Sequence, residues 1–364
     1  MSSTSLAPAD SVKVIAFYLP QFHPIPENDA WWGRGFTEWT NVAKARPLFP
    51  RHEQPDLPGE LGFYDLRVPE TREAQAALAA DHGVDAFCYW HYWFAGRRLL
   101  ERPFEEVLTS GTPDFPFCLA WANQTWSGIW HGAEDRILME QTYPGPEDDR
   151  AHFEYLLPAF DDDRYLKVDG RPVFYVFRPE QLPDPVAFTR RWQDMARAHG
   201  LAGLYLVAEI SDLHGNGPKI GRPEELGFDA GVYIRLPFQA STVDMLWMRF
   251  KRKVLRWPEM YDYSPTPIEP PPSLNRPNVH TCVYPNWDNT PRSGRRGLVI
   301  RGSSPEDFAA HLRHGLELTA SRPQDHRFLW IKSWNEWAEG NRLEPGASDG
   351  RAYLEVIRRI RELA

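Results

Sequence analysis

Glu336 and Glu339 stand three residues apart in the segment WNEWAEGNRLEP, residues 334–345. The indoles of Trp334 and Trp337 flank them. Acid-catalysed cleavage of a glycosidic bond uses two carboxyl groups beside the scissile oxygen. One of the two must keep a proton at neutral pH, which burial or a negative neighbour can arrange. A close Glu pair among tryptophans meets both conditions, and the flanking rings argue against a solvated pair that merely opens a loop. No HxH or HExxH spacing accompanies the pair, so neither a catalytic metal nor any cofactor is expected. Glu344, beside Pro345, reads as structural.

The composition narrows what such a pair could act on. Net charge over 364 residues is −9, which disfavours a nucleic-acid partner. Aromatic residues make up 13% and tryptophans number 15, a supply of flat apolar surface suited to sugar ring faces. Cys88, Cys118 and Cys282 are an odd set without CxxC spacing, so disulfides and structural zinc are not expected. The opening MSSTSLAPADS lacks the basic and apolar regions of a signal peptide, and no apolar run reaches the ~20 residues of a membrane helix. The expectation is a soluble cytoplasmic protein with no transmembrane segment.

Elements that could position the pair recur along the chain. Apolar runs at 12–20, 84–93, 115–123, 171–179, 203–211, 228–237, 278–286 and 327–337 read as eight strands covered on both faces. Helical patterns with Pro or Ser starts lie at 69–83, 184–200, 304–319 and 348–364. The alternation predicts an α/β fold, a (β/α)8 TIM barrel formed as a single domain over 1–364. An open doubly wound sheet is the alternative, without the GxGxxG or P-loop patterns that would support it. Residues 21–68 and 238–277 are read as insertions in βα loops at the C-terminal face. The second includes a predicted basic amphipathic helix at 245–257, taken as a solvated insertion rather than a membrane or partner contact.

Chemistry in such a barrel belongs at the C-terminal strand ends. His23 follows the first strand; Tyr89, His91, Tyr92 and Trp93 end the second; Trp121, Asn123 and Trp126 follow the third. Glu209 ends the fifth and Tyr233 the sixth; Tyr284 and Trp287 follow the seventh; Trp334 and Asn335 precede the carboxyl pair after the eighth. Such a set fits a sugar, whose hydroxyls need donors and acceptors and whose C–H faces need π surface. Trp39, Trp93, Trp121 and Trp126 are expected to line one cleft with Glu336.

AFYLPQFHPIPENDAWWGRGFTEWTNV, CYWHYWF and WNEWAEGNRLEP together resemble the WbsX-like family, usually described as glycosyltransferases of lipopolysaccharide and O-antigen biosynthesis. That family is related to glycoside hydrolase family 99, the endo-α-mannosidases. The resemblance runs from about residue 12 to 360 and implies a (β/α)8 barrel. It implies that Glu336 acts on a sugar 2-hydroxyl, which attacks C1 to give a 1,2-anhydro sugar, and that Glu339 is the general acid/base. The GFTEW segment looks typical of the WbsX-like group without a counterpart in the mannosidases, and it adds Glu38 and Trp39 to the substrate-binding set.

The resulting expectation is a retaining endo-glycoside hydrolase acting on an α-linked oligosaccharide or polysaccharide. In the cytoplasm that partner is lipid-linked or imported. The rivals are a glycosyltransferase of O-antigen or capsular polysaccharide and a non-catalytic glycan-binding barrel. DDDR at 161–164 contains DxD, as nucleotide-sugar transferases do, but its polar surroundings read as a turn.

Overall fold

The computed structural model describes residues 12–128, 133–238, 248 and 251–363. Eight parallel strands form a closed barrel: β1 (Lys13–Tyr18), β2 (Ala86–Phe94), β3 (Phe117–Trp121), β4 (Arg171–Val176), β5 (Tyr205–Ser211), β6 (Ala230–Ile234), β7 (Val279–Val283) and β8 (Phe328–Ile331). Each pairs with its neighbours in sequence. β8 closes on β1, with Lys13 opposite Phe328 and Ala16 opposite Ile331. Each of the eight predicted runs supplies one strand. Their apolar continuity follows from cover on both faces: all nine residues of β2 and all seven of β5 are buried.

Inside the barrel, Phe17 of β1 meets Trp90 of β2, Tyr175 of β4 and Trp330 of β8 at ring distances of 5.0, 5.1 and 5.4 Å. These interlocked rings form a packed plug rather than a pore, and they floor whatever opens above them.

The helices are α1 (Pro26–Trp32), α2 (Glu38–Lys44), α3 (Pro69–Asp81), α4 (Arg102–Ser110), α5 (Pro146–Asp161), α6 (Pro185–Ala198), α7 (Pro305–Ala320) and α8 (Ala352–Glu362). Side-chain caps set the starts of α6 and α7. Asp184 accepts from Ala187 N at 2.9 Å, and Ser304 accepts from Asp307 N at 3.1 Å. α4 and α5 were not among the helices read from the sequence. In α5, Pro158 interrupts the pattern near its end, while Phe153 and Trp192 of α6 pack edge to face.

The described parts of the two long connections fold onto the C-terminal face. Residues 21–68 include α1 and α2. Within 238–277, Glu259–Asp262 pairs in parallel with Leu298–Arg301, which also pairs with Trp287–Asp288. Of the predicted helix at 245–257, residues 245–247, 249 and 250 lie outside the described residues; Lys251–Leu255 forms one turn of π-helix and the chain leaves the helix there. Among the described residues, no helix is long and apolar enough to cross a membrane.

Gly315 shows how closely α7 lies on the barrel. A Cβ there would come within 2.7 Å of Leu329 Cδ1, with Val283 Cγ1 at 3.4 Å. Alanine ordinarily stabilises a helix interior over glycine by about 1 kcal/mol. Leu329 is fully buried and has no room to swing, so overpacking at about 1–3 kcal/mol wins. Gly315→Ala should therefore lower the thermal midpoint; a rise would show that α7 is free to move off β7 and β8.

Candidate active site

The segment after β8 is folded back on itself. Asn335–Glu336 pairs antiparallel with Asn341–Arg342, and Trp337–Glu339 forms a 3₁₀ turn between them. Residues three apart eclipse in a 3₁₀ turn, which brings Glu336 and Glu339 to the same side. Gly340 closes the turn at φ 66°, where a Cβ would lie 2.7 Å from Asp288 N. Asn335 anchors the segment. Its Oδ1 accepts from Leu19 N at 2.7 Å and its Nδ2 donates to Leu19 O at 3.1 Å, tying the end of β8 to the end of β1.

Trp90 Nε1 donates to Glu336 Oε1 at 2.9 Å, and Glu336 N donates to Ser333 Oγ at 3.1 Å. Arg292 Nη1 donates to Glu339 Oε1 at 2.5 Å. The same guanidinium donates to Glu38 Oε1 from Nη2 at 2.5 Å and from Nε at 3.0 Å. Arg292 sits on the helical turn Thr290–Ser293. Asp288 holds that turn, its Oδ1 accepting from Thr290 N at 2.9 Å and Thr290 Oγ1 at 2.6 Å. Asp288 Oδ2 faces His52 Nε2 at 2.8 Å and Gln54 Nε2 at 2.7 Å. Leu48 N donates to His52 Nδ1, so the ring proton is on Nε2 and points at Asp288.

Burial first, and the neighbouring Glu336 carboxylate second, push the Glu339 pKa up, to about 8; Arg292 acts in the opposite direction. A hydrogen bond between the two carboxyls adds to the rise. Burial and the Glu336 charge thus favour the protonated form of Glu339 at neutral pH. Lys332, two residues beyond Trp330, sits 5.4 Å from the Trp90 ring and 3.6 Å from Glu209 Oε2. Burial lowers its pKa, but Glu209 and Glu336 raise it further, and it stays a cation.

These groups line a cleft of about 220 Å³, well above the ~10–15 Å³ that one water requires. Of the residues singled out from the sequence, Glu38, Tyr92, Trp126, Glu336 and Glu339 line it. Alternation along β2 explains much of the remainder: successive side chains point to opposite faces. Trp90 and Tyr92 face the cleft, while Tyr89, His91 and Trp93 face the helices. His91 Nε2 lies 2.8 Å from His152 Nε2 of α5, Trp93 stacks on the same His152 at 4.7 Å, and Tyr89 packs on Phe104 of α4. Trp121 also turns outward, against Phe188 and His152.

The expected cleft of Trp39, Trp93, Trp121 and Trp126 is thus corrected to Trp126 alone among those four. Trp39 donates to Tyr64 O at 2.8 Å and packs on Trp337. Others form internal bonds instead of facing the cleft. His23 contacts Pro20 O, and burial lowers its pKa to about 4. Asn123 bonds Arg178 N and O, Tyr233 donates to Asp212, and Glu209 accepts from Tyr175 at 2.8 Å. Trp287 packs on Tyr284, and Trp334 on Phe87. Glu344, read as structural, is buried and accepts from Tyr64, Gln75 and Trp337.

Trp90, Phe177, Arg292, Lys332, Asn28 and Asn41 line the cleft and were not singled out. Period-two counting back from Tyr92 finds Trp90. A lysine ending the apolar run FLWIK has to be buried with a partner, which finds Lys332. Arg292 has no local signal. Among the described residues, no group of three or more His, Cys, Asp or Glu side chains could hold a metal ion. The DxD acids of 161–164 lie at the end of α5 and in the turn after it, on the barrel face opposite the cleft.

A family model described as Glycosyltransferase WbsX matches residues 14–357. Two uncharacterized WxcX proteins from strains of Xanthomonas campestris pathovar campestris are 40% and 39% identical, over 95% and 98% of this chain. They are matched over 49% and 50% of their own length, so the chain spans about half the length of these relatives. Among solved structures, a glycoside hydrolase-like protein superposes with a TM-score of 0.62 at 14% identity, covering 99% of this chain and 96% of the other. The family 99 endo-alpha-mannosidase from Bacteroides thetaiotaomicron, in complex with bis-tris propane, gives 0.56 at 13% identity and 95% coverage of each chain. At these identities the structural likeness is one of fold, whereas the family model spans nearly the whole chain: it belongs to the WbsX glycosyltransferase family, a family of carbohydrate-active enzymes.

Proposed function

We propose that the barrel and its two long connections act as one catalytic domain that cleaves α-linked glycans internally with retention, using Glu336 and Glu339. The observation that carries this reading is that Glu336 and Glu339 line one cleft, where burial and the Glu336 charge favour the protonated form of Glu339. Glu339 gives that proton to the glycosidic oxygen as the C1–O bond breaks. Glu336 takes the proton of the sugar 2-hydroxyl, whose oxygen attacks C1 and closes a 1,2-anhydro ring. Water then attacks C1, losing a proton to Glu339, while the C1–O2 bond breaks and Glu336 returns its proton to O2. An enzymic nucleophile would need carboxyls roughly 5–5.5 Å apart to admit the reacting carbon between them. Trp90, Tyr92, Trp126 and Phe177 supply ring surface for the sugar.

Transfer to a sugar acceptor is the second reading. The same pair performs it if an acceptor hydroxyl replaces water in the second step. A nucleotide-sugar donor is less well matched. Arg292 and Lys332 face Glu38, Glu336 and Glu209, so even with Glu339 protonated the site has no surplus positive charge for a diphosphate. Digestion of an α-linked oligosaccharide in ¹⁸O-water distinguishes the two. Hydrolysis labels the new reducing end, whereas transfer leaves it unlabelled and lengthens an acceptor.

Removing the acid hurts poor leaving groups most, because an activated aglycone departs without help. Glu339→Gln should lose about 10²–10⁴-fold on an oligosaccharide and far less on an aryl glycoside with a good leaving group. Glu336→Gln should lose both. The reverse pattern swaps the roles, and unchanged turnover in both variants removes the carboxyl pair from the mechanism. The acid must be protonated to work, so kcat/KM should fall tenfold per pH unit above about 8. A profile level to pH 10 would contradict Glu339 as the acid.

A further inference from the structure

The wall of the cleft built by α1 and α2 carries polar atoms that the fold itself does not use. Both amide atoms of Asn28, Oδ1 of Asn41 and Oε2 of Glu38 are buried with no hydrogen-bond partner among the described residues. Asn28 and Glu38 are 0% exposed and Asn41 is 1% exposed, and all three line the cleft. Buried polar groups are almost always paired, and a bare one destabilises the free protein. Four bare atoms on one wall are a standing penalty that a ligand would relieve.

The wall is rigidly placed. Glu38 and Asn41 are three residues apart on α2 and so share a face. Glu38 N donates to Gln21 O at 2.9 Å, and Thr37 and Thr40 form a capping box at the start of the helix. On the opposite side, Trp39 fixes α2 through its bond to Tyr64 O.

The atoms also specify a chemistry. Glu38 Oε2 and Asn41 Oδ1 are acceptors, and Asn28 offers one acceptor and an amide donor. Acceptors outnumber donors, which calls for a ligand rich in O–H groups. The carboxylate oxygen repels an anionic ligand. We propose that Asn28, Glu38 and Asn41 form a subsite that reads two adjacent hydroxyls of a neutral pyranose, and that Glu38 links this subsite to Glu339 through Arg292. The proposal rests on reading the cleft as a glycan site. It deepens that reading by naming what the GFTEW-bearing connection contributes: selection of the sugar.

Asn28→Ala and Asn41→Ala test it, because neither side chain hydrogen-bonds Glu336, Glu339 or Arg292. The probes are methyl α-D-mannopyranoside, methyl α-D-glucopyranoside, methyl α-D-galactopyranoside and their monodeoxy analogues. Binding to the full chain is followed by tryptophan fluorescence, with Trp32, Trp90 and Trp126 lining the cleft. At least one parent sugar should bind saturably, and loss of either of two neighbouring hydroxyls should weaken it about tenfold or more. In both variants the parent should weaken similarly, and the gap between parent and deoxy analogue should close. Tm should hold or rise, since an unpaired buried amide is replaced by a better helix former; a structural role would lower it. Parent binding equal to wild type, a gap that persists, or no saturable binding of any of the three sugars overturns the proposal. Turnover by Glu336→Gln and Glu339→Gln is scored separately. That reading can fail while this binding pattern stands, and the pattern can fail while turnover follows the carboxyl pair.

Discussion

Arg292 joins two glutamates that the chain places far apart: Glu38, 254 residues before it, and Glu339, 47 residues after it. A guanidinium suits this position because its fork can serve two acceptors while remaining charged. Glu38, Glu336 and Glu339 crowd one buried cleft, and like charges there repel strongly. One cation neutralises one of them outright and leaves the other two to share what remains. The arrangement settles with a single proton on Glu339, which burial and Glu336 both favour. The limit on charge in the cleft and the raised pKa of Glu339 are thus one constraint, and the surrounding structure serves it.

That service is visible in layers. Asp288 holds the turn that carries Arg292, and His52 and Gln54 from the first long connection brace Asp288. Gly340 lets the turn bearing Glu339 pass close to Asp288, where no side chain fits. Asn335 pins the same segment to β1, and the aromatic plug of Phe17, Trp90, Tyr175 and Trp330 fixes the Trp90 indole that meets Glu336. On the opposite side, Glu209 holds Lys332 under the cleft. Parts distant in sequence therefore converge on two carboxyls.

This division explains what the sequence made legible. The eight strands were readable because strands covered on both faces must be apolar throughout. The carboxyl pair was readable because it is local, three residues within one turn. The ring platform was misplaced because consecutive residues such as His91, Tyr92 and Trp93 were taken together, although a strand sends them to alternate faces. Trp334, Asn335 and Trp39 were assigned to substrate through their nearness to the motif, but they are the packing and hydrogen bonds that hold it. Arg292 is invisible locally. Only the argument that buried carboxylates need a cation predicts that one exists, and it does not say where.

The central claim is that Glu339 holds a proton at neutral pH because it is buried beside Glu336. A ¹³C NMR titration of carboxyl-labelled protein measures this directly, with Glu339→Gln assigning the resonance. The account predicts a midpoint near 8 for Glu339, shifted downward in Glu336→Gln once the negative neighbour is gone. A midpoint near the ordinary glutamate value of about 4.3, unmoved by Glu336→Gln, would contradict it.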